Sequence, residues 1–518
     1  MAQSTTPAGE AQGEAKSVGL LLPLALSLPV ALDFFDNASF SFFASHIAGG
    51  VHASSDELVW STSAYAIASV LGILQQQWWV DRLGYRSYLA ACLALFGLAS
   101  LAASFTGSAT ELAVARGAQG YLIGPMLSAC RVLVQASFSA NKRSSVLRTF
   151  LFCILLASAL APLAGGYLVT RFGWQSLFLL TSTVGFSLAV FIVFVMSPSA
   201  ATPAEEHGEA HVWPYLVFAG AIGTLQIAMQ QVRFELFASS PVLIGLSAFG
   251  LIALTWFVHH QWHHPRPLLS LRGTTHQTFQ TGLVMYVFYY YITNALGFLV
   301  ARLLESGLGY PLEIAGKLVG ISGLISLPML FGYFYFSPKI KRKKWLVGAG
   351  YALVISIGLW FAFLPPNVSS DSLVLPLVLR GALLLTMALP VAGVSFSVFE
   401  FNDYTHSYRL KNIIKQLTLS FSTSTTIMLE QHRAALHYTR ISETISPSDP
   451  VVQNAIHALV EHSQGLGLSA SQAQHMALQQ IYDMVMRQAN LMSIQDGFIF
   501  MVAVAVCAGA FSLWQKRI

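Results

Sequence analysis

The chain has 518 residues, 55% hydrophobic and only 10% charged, with a mean hydropathy of +0.60 and a formal net charge of +5. A soluble protein carries roughly 25% charged residues, so this composition excludes an ordinary globular chain. So small a basic excess gives no ground for binding nucleic acid. The cysteines, Cys92, Cys130, Cys153 and Cys507, all fall in apolar stretches, form no disulfide or metal pattern and are expected to be small buried hydrophobes.

Residues 1–17 are polar, contain Glu10 and Glu14, and lack the basic start of a cleavable signal peptide. They are expected to form a cytoplasmic tail, and the first apolar stretch to remain as a membrane helix. Fourteen apolar stretches follow, near 18–46, 58–80, 87–106, 110–136, 147–170, 175–197, 212–232, 238–258, 278–302, 312–336, 345–364, 373–398, 412–430 and 494–514. A bilayer-crossing helix needs roughly 20 mostly apolar residues. The stretches are too long and too uniformly apolar for the alternating strands of a membrane barrel, so the expected fold class is an all-α polytopic membrane protein.

Basic residues set the orientation. With the N-terminus in the cytoplasm, the inward loops hold Arg82 and Arg86, Lys142 and Arg143, Arg272, the Lys339–Lys344 cluster, and Arg409 and Lys411. Both termini are then cytoplasmic. Residues 431–490 lie outside, and read as a helical hairpin with a turn at Ser446–Pro450 and a cap at Ser469.

The loop after the second stretch reads QWWVDRLGYRSYL, with Asp81, Arg82, Gly84 and Arg86 placed for a charge clasp between helix ends. The fourth begins RGAQGYLIGP, with Arg116 and Gln119. The fifth carries APLAGGYL, with Pro162, Gly165 and Gly166, where small residues permit close helix approach. FGWQSLF follows, then LKNIIKQLTLSFSTS with Asn412 and Lys415. In this order and spacing, these motifs resemble the fourteen-span drug:proton antiporters of the major facilitator superfamily, closest to the EmrB type.

The resemblance implies two six-helix bundles, 18–197 and 277–514, with a linker at 198–276 that holds two extra membrane helices. It implies proton-driven export of hydrophobic or amphipathic compounds from a bacterial inner membrane, without cofactors, and with a periplasmic adaptor and an outer-membrane channel as partners. The sequence departs from the family pattern at Leu74, Gln77, Ala161 and Gln230.

Ionisable residues at membrane depth are functional candidates. Asp33 and Asp36 share a helix face and, with Arg116, are the candidates for proton coupling. Arg116 is either a partner for one of these carboxylates or a structural tie to backbone. Arg131 faces either a cavity or the headgroups. Further cavity candidates are Gln119, Gln230, Tyr289, Asn294, Arg380 and Asn412. Arg302 and Glu305 are expected to pair locally, and Lys317 to anchor at the interface. The His259, His260, His263 and His264 cluster reads as interfacial, not as a metal site. No phosphate-cradling loop and no nucleophile–His–acid set is visible, which argues against an ATP-driven pump or an enzyme. Two rival readings stay open: an exporter of one anionic metabolite, such as an aromatic acid, a fatty acid or a siderophore, and a non-transporting scaffold or sensor.

Overall fold

The computed structural model describes residues 20–198, 212–231 and 240–515, apart from 266, 341, 367, 400 and 446–448. It is helical, with no strand among the described residues. The helices are α1 (Leu21–Phe42), α2 (Ala44–Gly50), α3 (Ser55–Ala103), α4 (Ala109–Ile123), α5 (Met126–Ser137), α6 (Ala140–Phe172) and α7 (Gln175–Val195). Next come α8 (Val212–Gln231), α9 (Pro241–His263), α10 (Gln277–Arg302), α11 (Leu312–Ser326), α12 (Pro328–Phe336) and α13 (Lys343–Ala362). The chain ends with α14 (Ser370–Arg380), α15 (Leu389–Ser395), α16 (Phe401–Thr444), α17 (Pro450–Gly465) and α18 (Ala470–Trp514).

Among the described residues, 11 helices are long and apolar enough to cross a bilayer. Three local features reconcile these with fourteen spans. α3 is two spans joined at Gly84, whose φ of 72° and ψ of 156° suit glycine, because a Cβ would be strained there. The fourth span is broken at Gly124–Pro125 into α4 and α5, each too short to cross alone. α16 is too polar to be among the 11, although it packs between α10, α18 and α3. The first span is also shorter than expected, ending at Phe42 before the separate α2.

Capping fixes several starts. Ser54 and Glu57 form a capping box at α3, Ser469 and Gln472 form one at α18, and Asp449 caps α17 through Val451 N–H. α8 and α9 pack together and seat Phe218 and Phe257, 4.4 Å apart, against Val70, Ile73 and Ile413 of α3 and α16.

The two halves approach most closely at α6 and α11. A Cβ on Gly316 would come within 2.4 Å of the Pro162 carbonyl oxygen, and one on Gly166 would lie 3.5 Å from the Gly316 Cα. Gly165 turns the other way and receives Phe43 of its own half.

At the far side of the membrane α16 and α18 run on past the span ends. Asp496 accepts hydrogen bonds from Arg433 at 2.6 Å and His437 at 2.5 Å, fastening the stem, and α17 packs on α18. Ser446, Pro447 and Ser448 of the expected turn lie outside the described residues. Cys92, Cys130 and Cys153 are buried, but Cys507 is exposed on the face of α18 that lipid would cover, contrary to expectation.

Candidate functional site

α1 carries two acids into the interior, and they take separate partners. Asp36 is 3% exposed and receives Arg116 of α4 at 2.5 Å, with that arginine only 1% exposed. Arg116 also donates to Gln119 Oε1 at 2.9 Å, while Gln119 Nε2 donates to Ser100 at 2.7 Å. The guanidinium is sandwiched by the Phe40 and Tyr65 rings, 4.3 and 4.4 Å from its carbon.

Asp33 reaches across the molecule instead. It accepts from the Tyr65 hydroxyl at 2.5 Å and from Asn37 Nδ2 at 2.8 Å, and Lys415 Nζ of α16 lies 3.5 Å from its other oxygen. Tyr65 thus stands between the two acids, bonding one and stacking on the partner of the other. The Asp33–Lys415 pair bridges the two halves of the molecule.

Three adjoining chambers, which share lining residues, lie between the halves. The middle one, about 330 Å³, is lined by Asp33, Lys415, Arg380, Tyr289 and Asn294. Phe34, Tyr289, Tyr290 and Leu384 also line a second chamber of about 290 Å³ toward the basic loops, which holds Arg131 and Lys411. Asn37, Ser41, Phe42, Asn294 and Leu419 open onto a third of about 110 Å³ toward the hairpin, where Arg116, Arg302 and Glu305 lie. Arg131 therefore faces a chamber, with Phe150 and Tyr408 beside it at 6.0 and 5.6 Å, rather than the headgroups.

Several expectations need correction. Gln119 is fully buried behind Arg116 and lines none of the three chambers; its amide is committed to Arg116 and Ser100. Asn412 is 1% exposed and lines none of them either, because it sits beside Lys411 on the packed side of α16. Gln230 lies in α8, but its side chain is outside the described residues.

Arg302 does not pair with Glu305; it crosses to Glu430 of α16 at 3.2 Å, because a π turn over Leu303–Gly307 rotates Glu305 away. Glu305 then accepts from Ser45 at 2.8 Å and faces His46 at 3.3 Å. Lys317 pairs with Glu313 at 2.7 Å one turn away and stays largely exposed. The QWWVDRLGYRSYL segment shows no ion pair of Asp81 with Arg82 or Arg86 among the described residues. Asp81 accepts from Gln77 at 2.6 Å, Arg82 lies over the Trp78 ring at 3.8 Å, and Arg86 donates to the Val193 carbonyl at the end of α7 at 2.7 Å. Arg86 thus complements a helix C-terminus.

Arg409 and Lys411 are not loop charges. They lie within α16 and are 2% and 5% exposed. With Tyr65 and Lys415 they are the functional candidates that sequence reasoning passed over. Their signal was present: a basic residue recurs at Lys411 and Lys415, one helical turn apart, as it would on one face of a cavity-lining helix.

A bundle of membrane helices around an axial cavity, with a buried ion pair between its halves, is the architecture of a multi-pass membrane transporter. The chain matches the Major Facilitator Superfamily over residues 26–406, and it belongs to that family. It is 22% identical to the multidrug export protein EmrB of Escherichia coli (strain K12) over 94% of both chains, and 22% identical to the fatty acid resistance protein FarB of Neisseria gonorrhoeae over 87% of both. Its fold is that of a bacterial homologue of the human lysosomal transporter Spinster, in an inward-facing and unoccupied conformation, with a TM-score of 0.59 and 15% identity over 97% of both chains. The family is one of transporters, not enzymes.

Proposed function

We propose that the chain is a proton-driven exporter of amphipathic compounds in a bacterial inner membrane, with the basic loops and both termini on the cytoplasmic side. The observation that carries this reading is the arrangement of Asp33, Asp36 and Arg116. Two buried acids meet cations on either side of one tyrosine, and one of the two pairs spans the halves.

Charge buried in a membrane is costly unless it is paired, so protonating Asp33 would release Lys415 and loosen the contact between the halves. Protons entering from outside thus couple to opening, and the substrate leaves in exchange. A membrane potential contributes about 2.3 kcal/mol per charge per 100 mV to such a cycle. Export from the cytoplasm, and a periplasmic adaptor that joins the pump to an outer-membrane channel, are supported by the likeness to EmrB and by the outward hairpin.

Purified protein in liposomes with an imposed pH gradient tests this. The gradient should drive amphipath flux in the wild type, and Asp36→Asn should abolish it while substrate binding persists. Full gradient-driven flux in the Asp33→Asn/Asp36→Asn double variant would refute the coupling role.

A further inference from the structure

The chamber nearest the basic loops has an unbalanced charge. Arg131 comes from α5, Lys411 from α16, and no Asp or Glu is among its lining residues. Lys411 is 5% exposed, and among the described residues neither it nor Arg131 forms an ion pair with a carboxylate. Its only hydrogen bond there is a long one, 3.5 Å, to Asn412.

Rings take the place of an anion. Lys411 Nζ lies 4.7 Å from the centre of Tyr408, 5.3 Å from Tyr286 and 5.6 Å from Tyr290, and Tyr286 and Tyr290 stack with their planes 17° apart. Phe150 closes the other wall beside Arg131. Aromatic faces attract a cation, but they do not neutralise two of them in a low-dielectric site. The ring-lined cavity, at about 290 Å³, has room for a small flat molecule.

We propose that this chamber is an anion-selecting subsite for a flat aromatic monoanion, a carboxylate or phenolate, with its charge between Arg131 and Lys411 and its ring among the tyrosines. The inference rests on the exporter reading and names the substrate class. The two cations come from opposite halves, so the bound anion would draw the halves together on this side, which is the step that follows loading in alternating access. A cationic amphipath would meet two like charges and be rejected.

The test uses one ring with three charges: 1-naphthoate, 1-naphthamide and a naphthyl trimethylammonium. Equilibrium binding to the purified full-length protein in detergent should favour naphthoate, with naphthamide weaker and the cation weakest. Arg131→Gln and Lys411→Met should each weaken naphthoate binding about tenfold and leave naphthamide binding unchanged. Lys411→Arg should restore most of it, which separates lost charge from lost folding.

Equal binding of naphthoate and naphthamide by the wild type would overturn the proposal without any variant, and so would tight naphthoate binding in well-folded Lys411→Met. Transport distinguishes this failure from that of the exporter reading. Proton-driven naphthamide flux without naphthoate preference refutes the subsite alone. Preserved naphthoate selectivity without gradient-driven flux of any probe refutes the exporter reading and leaves the subsite standing.

Discussion

At the scale of single residues, the interior separates charged groups from the groups that hold them. Arg116 is held by Asp36 and by Gln119, and the amide of Gln119 has no other task than to join Arg116 to Ser100. Gln119→Met should therefore preserve the pH dependence of transport but lower stability, since stranding a buried hydrogen-bonding group costs about 1–3 kcal/mol. A fall in the melting midpoint with the flux-versus-pH profile unchanged is the expected outcome; a displaced profile would make Gln119 part of the coupling. Asp33, Asp36 and Arg116 could be picked out from sequence because a charge inside an apolar stretch is conspicuous. Tyr65 could not, and the one-turn repeat of Lys411 and Lys415 was the only sign of those two. The two lysines sit in the polar string SYRLKNIIKQ, which reads as a loop edge, and a tyrosine in an apolar helix gives no sign that its hydroxyl meets an acid.

At the scale of helices, most of the fold was legible because lipid demands long apolar stretches and punishes anything else. The parts that escaped are those where packing outweighs hydropathy. α16 is a span that looks soluble because its polar residues meet α10 and, through Lys415, the other half instead of lipid. The break at Gly124–Pro125 carries a Gly-Pro signature that the span assignment did not use, whereas the π turn at Leu303–Gly307 has none, and it redirects Glu305 from Arg302 to Ser45. The α6–α11 contact is the closest approach between halves, and an alternating transporter must open it. A Cβ on Gly323 would lie 2.8 Å from that of Ala159, near enough for a disulfide after a small backbone adjustment. Ala159→Cys/Gly323→Cys should cross-link under oxidation and stop transport, and reduction should restore it. Undiminished transport by the fully cross-linked protein would show that this face does not separate.

At the scale of the whole molecule, the segment between the last two spans has no part in the axial cavity. α16 and α18 form a stem fastened at Asp496 by Arg433 and His437, with Tyr438 edge-on to Tyr482 farther out at 6.2 Å. α17, the turn after it and the first turns of α18 then present Val451, Leu466, Leu478 and Met484 to the exterior, 74%, 70%, 49% and 54% exposed. Large apolar side chains exposed on this segment mark it as a candidate surface for another protein. The adaptor proposed from the likeness to EmrB would dock there. Removing residues 440–485 keeps the Arg433 and His437 contacts to Asp496 and hence the stem. The shortened protein should transport at the full rate in liposomes, where one membrane is crossed, and should fail to protect cells if the proposed adaptor carries the substrate across a second. Loss of liposome transport would place the hairpin in the transport cycle itself, and full protection of cells would remove it from assembly. Protection measured beside liposome flux therefore separates a docking element from a gating one.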